Sequence, residues 1–283
     1  SRLTDLAGPG ETFSSAAIAR GLADRIEGVL LGPRAIEGLP EPVEVWRIEG
    51  MTVEAGVVAA TAFVGRERER ADFAKAVERC RGGGQGETIL IRGEAGIGKT
   101  RLLQEFDEQS QIQGFESCSG LVLDFGAGKG QDAIGALVRG LLRLPPGSDK
   151  KTRAQALEEA IATNLLSAER RIHLYDLLDL PQPDDLRALF EAMDNETRDR
   201  GRQTTLGDLV IGRSAKRPLL LRIEDMHWAG PAVLAQAAAL TRLIATCQAL
   251  LVLTTRITGD PFDADWREKT GSAPVTSFDL APL

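Results

Sequence analysis

Short runs of apolar residues recur along most of the chain, separated by segments in which apolar residues return every three to four positions. The short runs are typical of buried strands, and the wider spacing is typical of amphipathic helices. We predict strands in the segments TILIRG (88–93), SCSGLVLD (117–124), PLLLRIED (218–225), ALLVLTTR (249–256) and VTSFDL (275–280). Apolar strands that alternate with helices predict an α/β fold, in which helices cover both faces of a parallel sheet.

Helices are predicted between these strands. The segment RERERADFAKAVERC (66–80) has helical spacing, and the four glycines between 82 and 86 end it. A second helix follows in TRLLQEF (100–106), and a long helical zone fills 131–216, with breaks at LPPGSD and LPQPDD. The segment 230–244 is a helix that begins with Gly230 and Pro231, since proline suits the first helical position.

The first 62 residues have a different pattern. We predict the end of a helix at 1–7, a helix at 16–24, a strand at 42–48, and a linker of small apolar residues at 51–62. A longer unit then begins at Phe63 and continues to the last residue, so the chain has three parts: 1–50, 51–62 and 63–283.

Composition narrows the class of protein. The chain has 283 residues, 43% apolar and 27% charged, with a net charge of -7. Such an acidic chain is a poor candidate for general binding to nucleic acid or to an anionic membrane. Its apolar runs are too short to span a bilayer, and no signal peptide is recognisable. The three cysteines lack metal-type spacing, so we expect reduced thiols in a cytoplasmic protein.

The segment GEAGIGKT carries the strongest chemical signal. Gly93, Gly98, Lys99 and Thr100 form the pattern G-x-x-x-x-G-K-[ST], between an apolar strand and a helix. Such a loop presents backbone N–H groups to phosphate oxygens, while Lys99 reaches the β- and γ-phosphates and Thr100 ligates Mg²⁺. We therefore predict a P-loop NTPase with a nucleotide site at Gly93, Glu94, Ala95, Gly96, Ile97, Gly98, Lys99, Thr100 and Arg101.

Two carboxylates at the end of a later strand complete this prediction. Glu224 and Asp225 follow an apolar run, and the carboxyl ends of parallel strands meet at one edge of the sheet. We expect Glu224 to lie near the metal and Asp225 near the attacking water, although the reverse assignment stays open. Arg256, at the end of the next strand, is a candidate sensor of the γ-phosphate.

Other residues give weaker signals. His227 lies beside the two carboxylates and is a functional candidate, whereas His173 lies in an amphipathic helix and is expected to be structural. The segments DFG (124–126) and GAGKG (126–130) resemble fragments of known motifs, but the residues that should accompany those motifs are missing, and we interpret both as loop.

Residues 63–283 resemble the signal-transduction ATPases with numerous domains, the STAND class of AAA-like P-loop NTPases. The resemblance is carried by FVGRERE, ETILIRGEAGIGKTRLLQEF, PLLLRIEDMHWAGP and LLVLTTR, in the order of that class. It implies ATP rather than GTP, slow hydrolysis used as a switch, and a possible nucleotide-dependent oligomer. It also implies that Val64, Gly65 and Arg66 lie beside the adenine. Gly230 stands where that class commonly has an aspartate.

Residues 1–50 are similar to the C-terminal end of a class III adenylate or guanylate cyclase domain. The similar segments are SRLTDLAGPGETFSSAAIA and AIEGLPEPVEVWRI, and Arg2 matches the arginine that stabilises the transition state in that family. The metal-binding aspartates of that family would precede Ser1. The resemblance implies a short α+β remnant that pairs with the remainder of its own cyclase domain, and further C-terminal domains after 283.

We therefore expect an ATP-binding, slowly hydrolysing regulatory module of a cyclase-type signalling protein, with Mg²⁺ and ATP or ADP as ligands. No membrane or nucleic acid partner is expected, and no cyclic nucleotide is expected from this chain alone. One alternative is a non-hydrolysing ATP-binding scaffold or transcriptional-regulator module that recruits partners. A P-loop GTPase is disfavoured because the N-K-x-D motif for guanine is missing.

Overall fold

In a computed structural model of the chain, described for residues 12–21, 26–36, 42–51, 63–123 and 131–282, five parallel strands form one sheet. Their order across the sheet is β5-β6-β7-β4-β8. The bounds of these strands are β4 Thr88–Arg92, β5 Glu116–Leu121, β6 Leu219–Glu224, β7 Ala249–Thr255 and β8 Val275–Asp279. All four neighbouring pairs are parallel, so the carboxyl ends of the strands share one edge. The predicted parallel α/β sheet is confirmed.

The position of each strand explains its sequence. All seven residues of β7 are buried, as are the first four of β4, because helices cover both faces at the middle of the sheet. The edge strands β5 and β8 instead mix buried and exposed positions. Burial on both faces of the sheet explains why the central strand β4 has the continuous apolar run Ile89–Ile91.

Helices flank this sheet. Their bounds are α2 Glu67–Gly83, α3 Lys99–Ile112, α4 Gln131–Leu141, α5 Lys150–Ala162, α6 Arg171–Leu177, α7 Asp184–Ala192, α8 Asn195–Ser214, α9 Pro231–Ile244 and α10 Ala264–Thr270. Phe73 of α2 stacks on Phe106 of α3 at 3.9 Å between ring centroids, and Phe106 also meets Phe278 of β8. A large buried cluster joins α4, α8 and α9 to the central strands. The helical zone at 131–216 is thus five helices, and α10 was not predicted.

The chain divides into two compact units, residues 1–63 and 64–283. In the first unit, β1 (Thr12–Ser15), α1 (Ala16–Gly21), β2 (Ile26–Arg34) and β3 (Val43–Met51) form a helix and a three-stranded antiparallel sheet of order β1-β3-β2. The strand and the helix predicted here are present, whereas β1 and β2 were not predicted. Segment 1–7, with Arg2, and nearly all of the linker lie outside the described residues, as do the DFG and GAGKG segments.

Candidate functional site

The phosphate loop connects the end of β4 to the start of α3. Gly96 and Gly98 have φ values of 78° and 99°, in the left-handed region that favours glycine. Gly98 immediately precedes the first helical residue, Lys99, so the N–H groups of the first turn of α3 open toward the loop. Both glycines are therefore needed for the backbone path that joins strand to helix.

Gly93 is required for a different reason, which is close packing. A Cβ atom at this position would lie 2.8 Å from Cγ2 of Ile97 and 3.2 Å from Cβ of Leu280. The N–H of Gly93 donates to the carbonyl of Thr255 at 3.2 Å, which ties the start of the loop to the end of β7. The loop is thus fixed from two sides, by β7 and by the segment after β8.

Lys99 lies across the loop. Its Nζ atom donates to the carbonyls of Gly93 at 2.7 Å and Glu94 at 3.0 Å, and the residue is only 9% exposed. Burial lowers the pKa of Lys99, and the charge of Arg256 lowers it further, while Asp225 and Glu94 oppose the shift. A cation held in this way favours an anionic ligand in the loop, because such a ligand would supply the missing counter-charge.

The two carboxylates stand at the end of β6. Burial raises the pKa of Glu224 and the charge of Asp225 adds to that shift, while the charge of Arg222 and the side chain of Thr100 oppose it. Asp225 adopts a left-handed conformation, with φ 58° and ψ 43°, and its N–H donates to Oγ1 of Thr254 at 3.0 Å. The side chains of Thr100 and Asp225 thus lie close enough to Glu224 to influence its pKa.

This arrangement fits a magnesium ion that is held only in part by the protein. Mg²⁺ usually keeps several waters and takes one or two protein oxygens together with substrate phosphates. Thr100 at the start of α3 offers a hydroxyl, and Glu224 at the end of β6 offers a carboxylate. Within the described residues no group of three or more His, Cys, Asp or Glu side chains could hold a metal by itself. The donor set suits a nucleotide-bound metal better than a permanent metal centre.

Arg256 follows β7 directly, and its charge is one of the causes that lower the pKa of Lys99, after burial. The Cζ atom of its guanidinium lies 5.5 Å from the centroid of the Trp228 ring. Two residues further on, the hydroxyl of Thr258 donates to Oε1 of Glu94 at 3.3 Å. The segment after β7 is thus attached to the phosphate loop.

The two histidines have different surroundings. The side chain of His227 is 6% exposed, and its Nδ1 atom lies 4.0 Å from Oδ1 of Asp225. His173 is buried in α6 against Gly201 of α8, where burial lowers its pKa. The structure therefore brings His227 to the carboxylates and packs His173 between helices.

The segment Val64–Arg66 is connected to the phosphate loop through the residues after β8. A guanidinium nitrogen of Arg66 donates to the carbonyl of Ala281 at 2.5 Å, and the preceding residue, Leu280, packs beside Gly93. Val64 is 73% exposed. An exposed apolar residue at this place suits contact with a nucleotide base.

Two residues that position parts of the candidate site were not predicted from the sequence. Thr254 and Thr255 end β7, and they hold the carboxylate segment and the phosphate loop, respectively. Their only signal in the sequence is that two polar residues close an otherwise apolar strand.

Comparisons with known proteins agree with this geometry. The sequence profile of the AAA ATPase domain family matches residues 62–253. An uncharacterized protein of Rhizobium meliloti (strain 1021) is 26% identical over 268 residues, which cover 90% of this chain and 24% of that protein. The chain thus spans about a quarter of the length of this relative.

Solved structures give weaker likenesses. Cdc6p from Pyrobaculum aerophilum is 13% identical with a TM-score of 0.40, covering 77% of this chain and 48% of that chain. Drosophila ORC bound to DNA is 14% identical with a TM-score of 0.35, covering 76% of this chain and 90% of that chain. Scores this low support no assignment of function. The family profile, in contrast, spans most of the chain and includes the phosphate loop and both carboxylates, so the chain belongs to the AAA ATPase domain family.

Proposed function

We propose that this chain is an ATP-dependent switch that binds Mg-ATP and hydrolyses it slowly to regulate a larger signalling protein. The observation that carries the proposal is that Lys99 and Thr100 after β4, Glu224 and Asp225 at the end of β6, and Arg256 after β7 all lie at the carboxyl ends of neighbouring parallel strands. These groups supply a cation that binds the phosphates, oxygen ligands for the metal, a carboxylate that orients the attacking water, and a second cation. That set is the one required for attack of water on a γ-phosphate.

Each residue has a distinct task in this proposal. Lys99 neutralises the β- and γ-phosphates from its buried position, and Thr100 and Glu224 hold Mg²⁺. A bound Mg²⁺ would supply positive charge to the phosphate oxygens. Asp225 orients the attacking water, because its side chain is 43% exposed and open to solvent. Arg256 contacts the γ-phosphate and so distinguishes ATP from ADP.

The base is proposed to lie beside Val64, Gly65 and Arg66. The exposed Val64 side chain offers apolar contact, and Arg66 is fixed by the carbonyl of Ala281. The purine base would then lie on the side of the phosphate loop that faces the end of β8. The preference for ATP over GTP rests on the STAND resemblance.

The first experiment compares ATP, ADP and GTP binding to the whole chain by calorimetry and follows phosphate release. We expect saturable Mg-ATP binding, weaker GTP binding and slow release of phosphate. Asp225→Asn should keep ATP affinity and lower phosphate release at least about tenfold, which is ~1.4 kcal/mol of barrier.

The matched variant Glu224→Gln separates the two carboxylates. We expect it to weaken the Mg²⁺ dependence of binding. If it abolishes release with binding intact while Asp225→Asn stays active, the two roles are reversed. Saturable binding of ATP without any phosphate release would instead support the non-hydrolysing scaffold.

We also infer that residues 1–50 are the closing part of a class III nucleotidyl cyclase domain, regulated by the ATPase unit. The support is the α+β unit with its strand at Val43–Met51, where the cyclase resemblance expects the last strand.

The chain with Mn-ATP should release phosphate and form no cyclic AMP, measured in separate assays. Cyclic AMP above background would contradict the division into two units proposed here.

The prediction that this chain does not bind nucleic acid rests only on its net charge of -7, and a gel-shift assay with duplex DNA would test that prediction. In the part of the chain that the structure describes, no helix has both the length and the apolar character needed to cross a bilayer.

A further inference from the structure

Trp228 lies three residues after Asp225, the second of the two candidate catalytic carboxylates. The left-handed backbone of Asp225 turns the chain into a short 3-10 helix, Met226–Trp228. Met226 is fully buried and anchors this turn, while Trp228 remains 36% exposed. A large aromatic side chain is thus held at the edge of the site by a buried neighbour.

The Trp228 ring connects the ends of two strands. On one side it lies against His227, with 4.8 Å between ring centroids, and His227 lies 4.0 Å from Asp225. On the other side, the Arg256 guanidinium stands 5.5 Å from the ring centroid. That distance is within the range of cation–π attraction, which reaches to about 6 Å. The ring therefore bridges the carboxylate end of β6 and the arginine that follows β7.

The backbone around Arg256 is fixed independently of Trp228. Before it, the Thr255 carbonyl accepts from Gly93, and after it Thr258 donates to Glu94. Further along, Asp260 pairs with Arg92 at 3.1 Å, at the foot of the phosphate loop. These contacts fix the backbone near Arg256 and leave the direction of its long, flexible side chain undetermined. Within the described contacts of Arg256, the aromatic face of Trp228 supplies that direction.

We propose that Trp228 is a positioning residue that aims Arg256 at the γ-phosphate, so that it sharpens the discrimination between ATP and ADP. The inference rests on the proposed function, because it requires a nucleotide in the phosphate loop. A ring face restricts the guanidinium to one sector before the ligand arrives, which reduces the ordering cost of binding. ADP has no γ-phosphate, so its affinity does not depend on where Arg256 points.

The test measures the ratio of ATP to ADP affinity in Trp228→Leu, Trp228→Phe, Arg256→Ala and the Trp228→Leu/Arg256→Ala double variant. A partly exposed cation–π contact predicts about a two- to fivefold fall in the ratio for Trp228→Leu. Trp228→Phe keeps an aromatic face and should lose less. In the Arg256→Ala background, Trp228→Leu should have no further effect, because the side chain that it positions is already gone.

A matched control is Ile257→Ala, which removes an exposed apolar side chain next to Arg256 and should leave the ratio unchanged. Equal losses of ATP and ADP affinity in Trp228→Leu would overturn the proposal, since they indicate a structural role only. The proposal would also be overturned if Trp228→Leu lowered the ratio of ATP to ADP affinity as much in the Arg256→Ala background as it does in the wild type. If Trp228→Leu fails to fold, Trp228→Gln, which also removes the aromatic face, replaces it in the single and double variants and is judged by the same outcomes. Failure of the wild type to bind ATP is a separate outcome, which removes the proposed function before any variant is compared.

Discussion

Replacement of Lys99 by methionine tests the site most directly. Methionine keeps an apolar stem in the buried position and removes only the ammonium. The substitution breaks two hydrogen bonds, to the carbonyls of Gly93 and Glu94, but it also removes a buried charge whose pKa burial lowers. These two effects oppose each other, so the stability of the nucleotide-free chain should change little. The loss should appear in ligand binding.

The size of that loss follows from the geometry of the ammonium. A charge-assisted hydrogen bond contributes about 1.5–3 kcal/mol, and the Coulomb energy of unit charges 4 Å apart is ~4 kcal/mol at an effective dielectric constant of 20. We therefore expect Lys99→Met to weaken Mg-ATP binding about 10- to 1000-fold. At an ATP concentration of 100 times the wild-type Kd, ligand stabilisation is about 2.7 kcal/mol. For a variant weakened 100-fold it falls to ~0.4 kcal/mol.

Thermal unfolding with and without Mg-ATP measures this difference. The wild type should gain several degrees and Lys99→Met about one degree or less. The matched control is Lys75→Met in α2, since Lys75 is an exposed lysine that pairs with Asp72 at 2.9 Å. Lys75→Met should keep the wild-type gain. If Lys99→Met shows the same ATP-dependent gain as Lys75→Met, the phosphate loop is not the nucleotide site.

Three further predictions concern the packing of the domain. In α8, Gly201→Ala would place a Cβ atom 2.1 Å from the His173 ring and should lower the free energy of unfolding by about 1–3 kcal/mol. Gly207→Ala, whose new Cβ atom has its nearest contact at 3.4 Å, should instead raise the free energy of unfolding by up to ~1 kcal/mol. Equal urea midpoints for the two variants would contradict this prediction. Because burial lowers the pKa of His173 below the ordinary value of about 6.5, the unfolded chain binds the proton more readily, so stability should fall as the pH drops below that value. Urea midpoints between pH 5 and 8 should show this slope in the wild type and lose part of it in His173→Gln. Burial raises the pKa of Cys80 to about 12 and of Cys118 to about 11, so iodoacetamide at pH 8 should modify both thiols only after unfolding, as mass spectrometry can show.

The sequence alone determined the local features of the site. The phosphate loop is encoded locally in residues 93–100. This short segment contains the two glycines with a left-handed backbone and also the lysine and the threonine that begin α3. The central strands β4, β6 and β7 were equally predictable, since burial on both faces demands apolar runs, whereas the edge strands β5 and β8 mix buried and exposed positions. The first unit was harder to predict. Strand β2 contains Gly28, Gly32 and Pro33, which weaken a strand pattern, and two irregularities in its pairing to β3 shift its register.

The tertiary structure decided which ends of strands meet. The order β5-β6-β7-β4-β8 inserts β7 between the phosphate-loop strand and the carboxylate strand, and no local pattern encodes that order. As a result Thr254 holds Asp225, Thr255 holds Gly93, and Trp228 reaches Arg256. Residues 228 and 256 are far apart in the sequence, and their contact exists because packing of helices on both faces aligns the strands. Periodicity and spacing act within one element, whereas strand order is set by the sum of packing and backbone hydrogen bonds over the whole sheet.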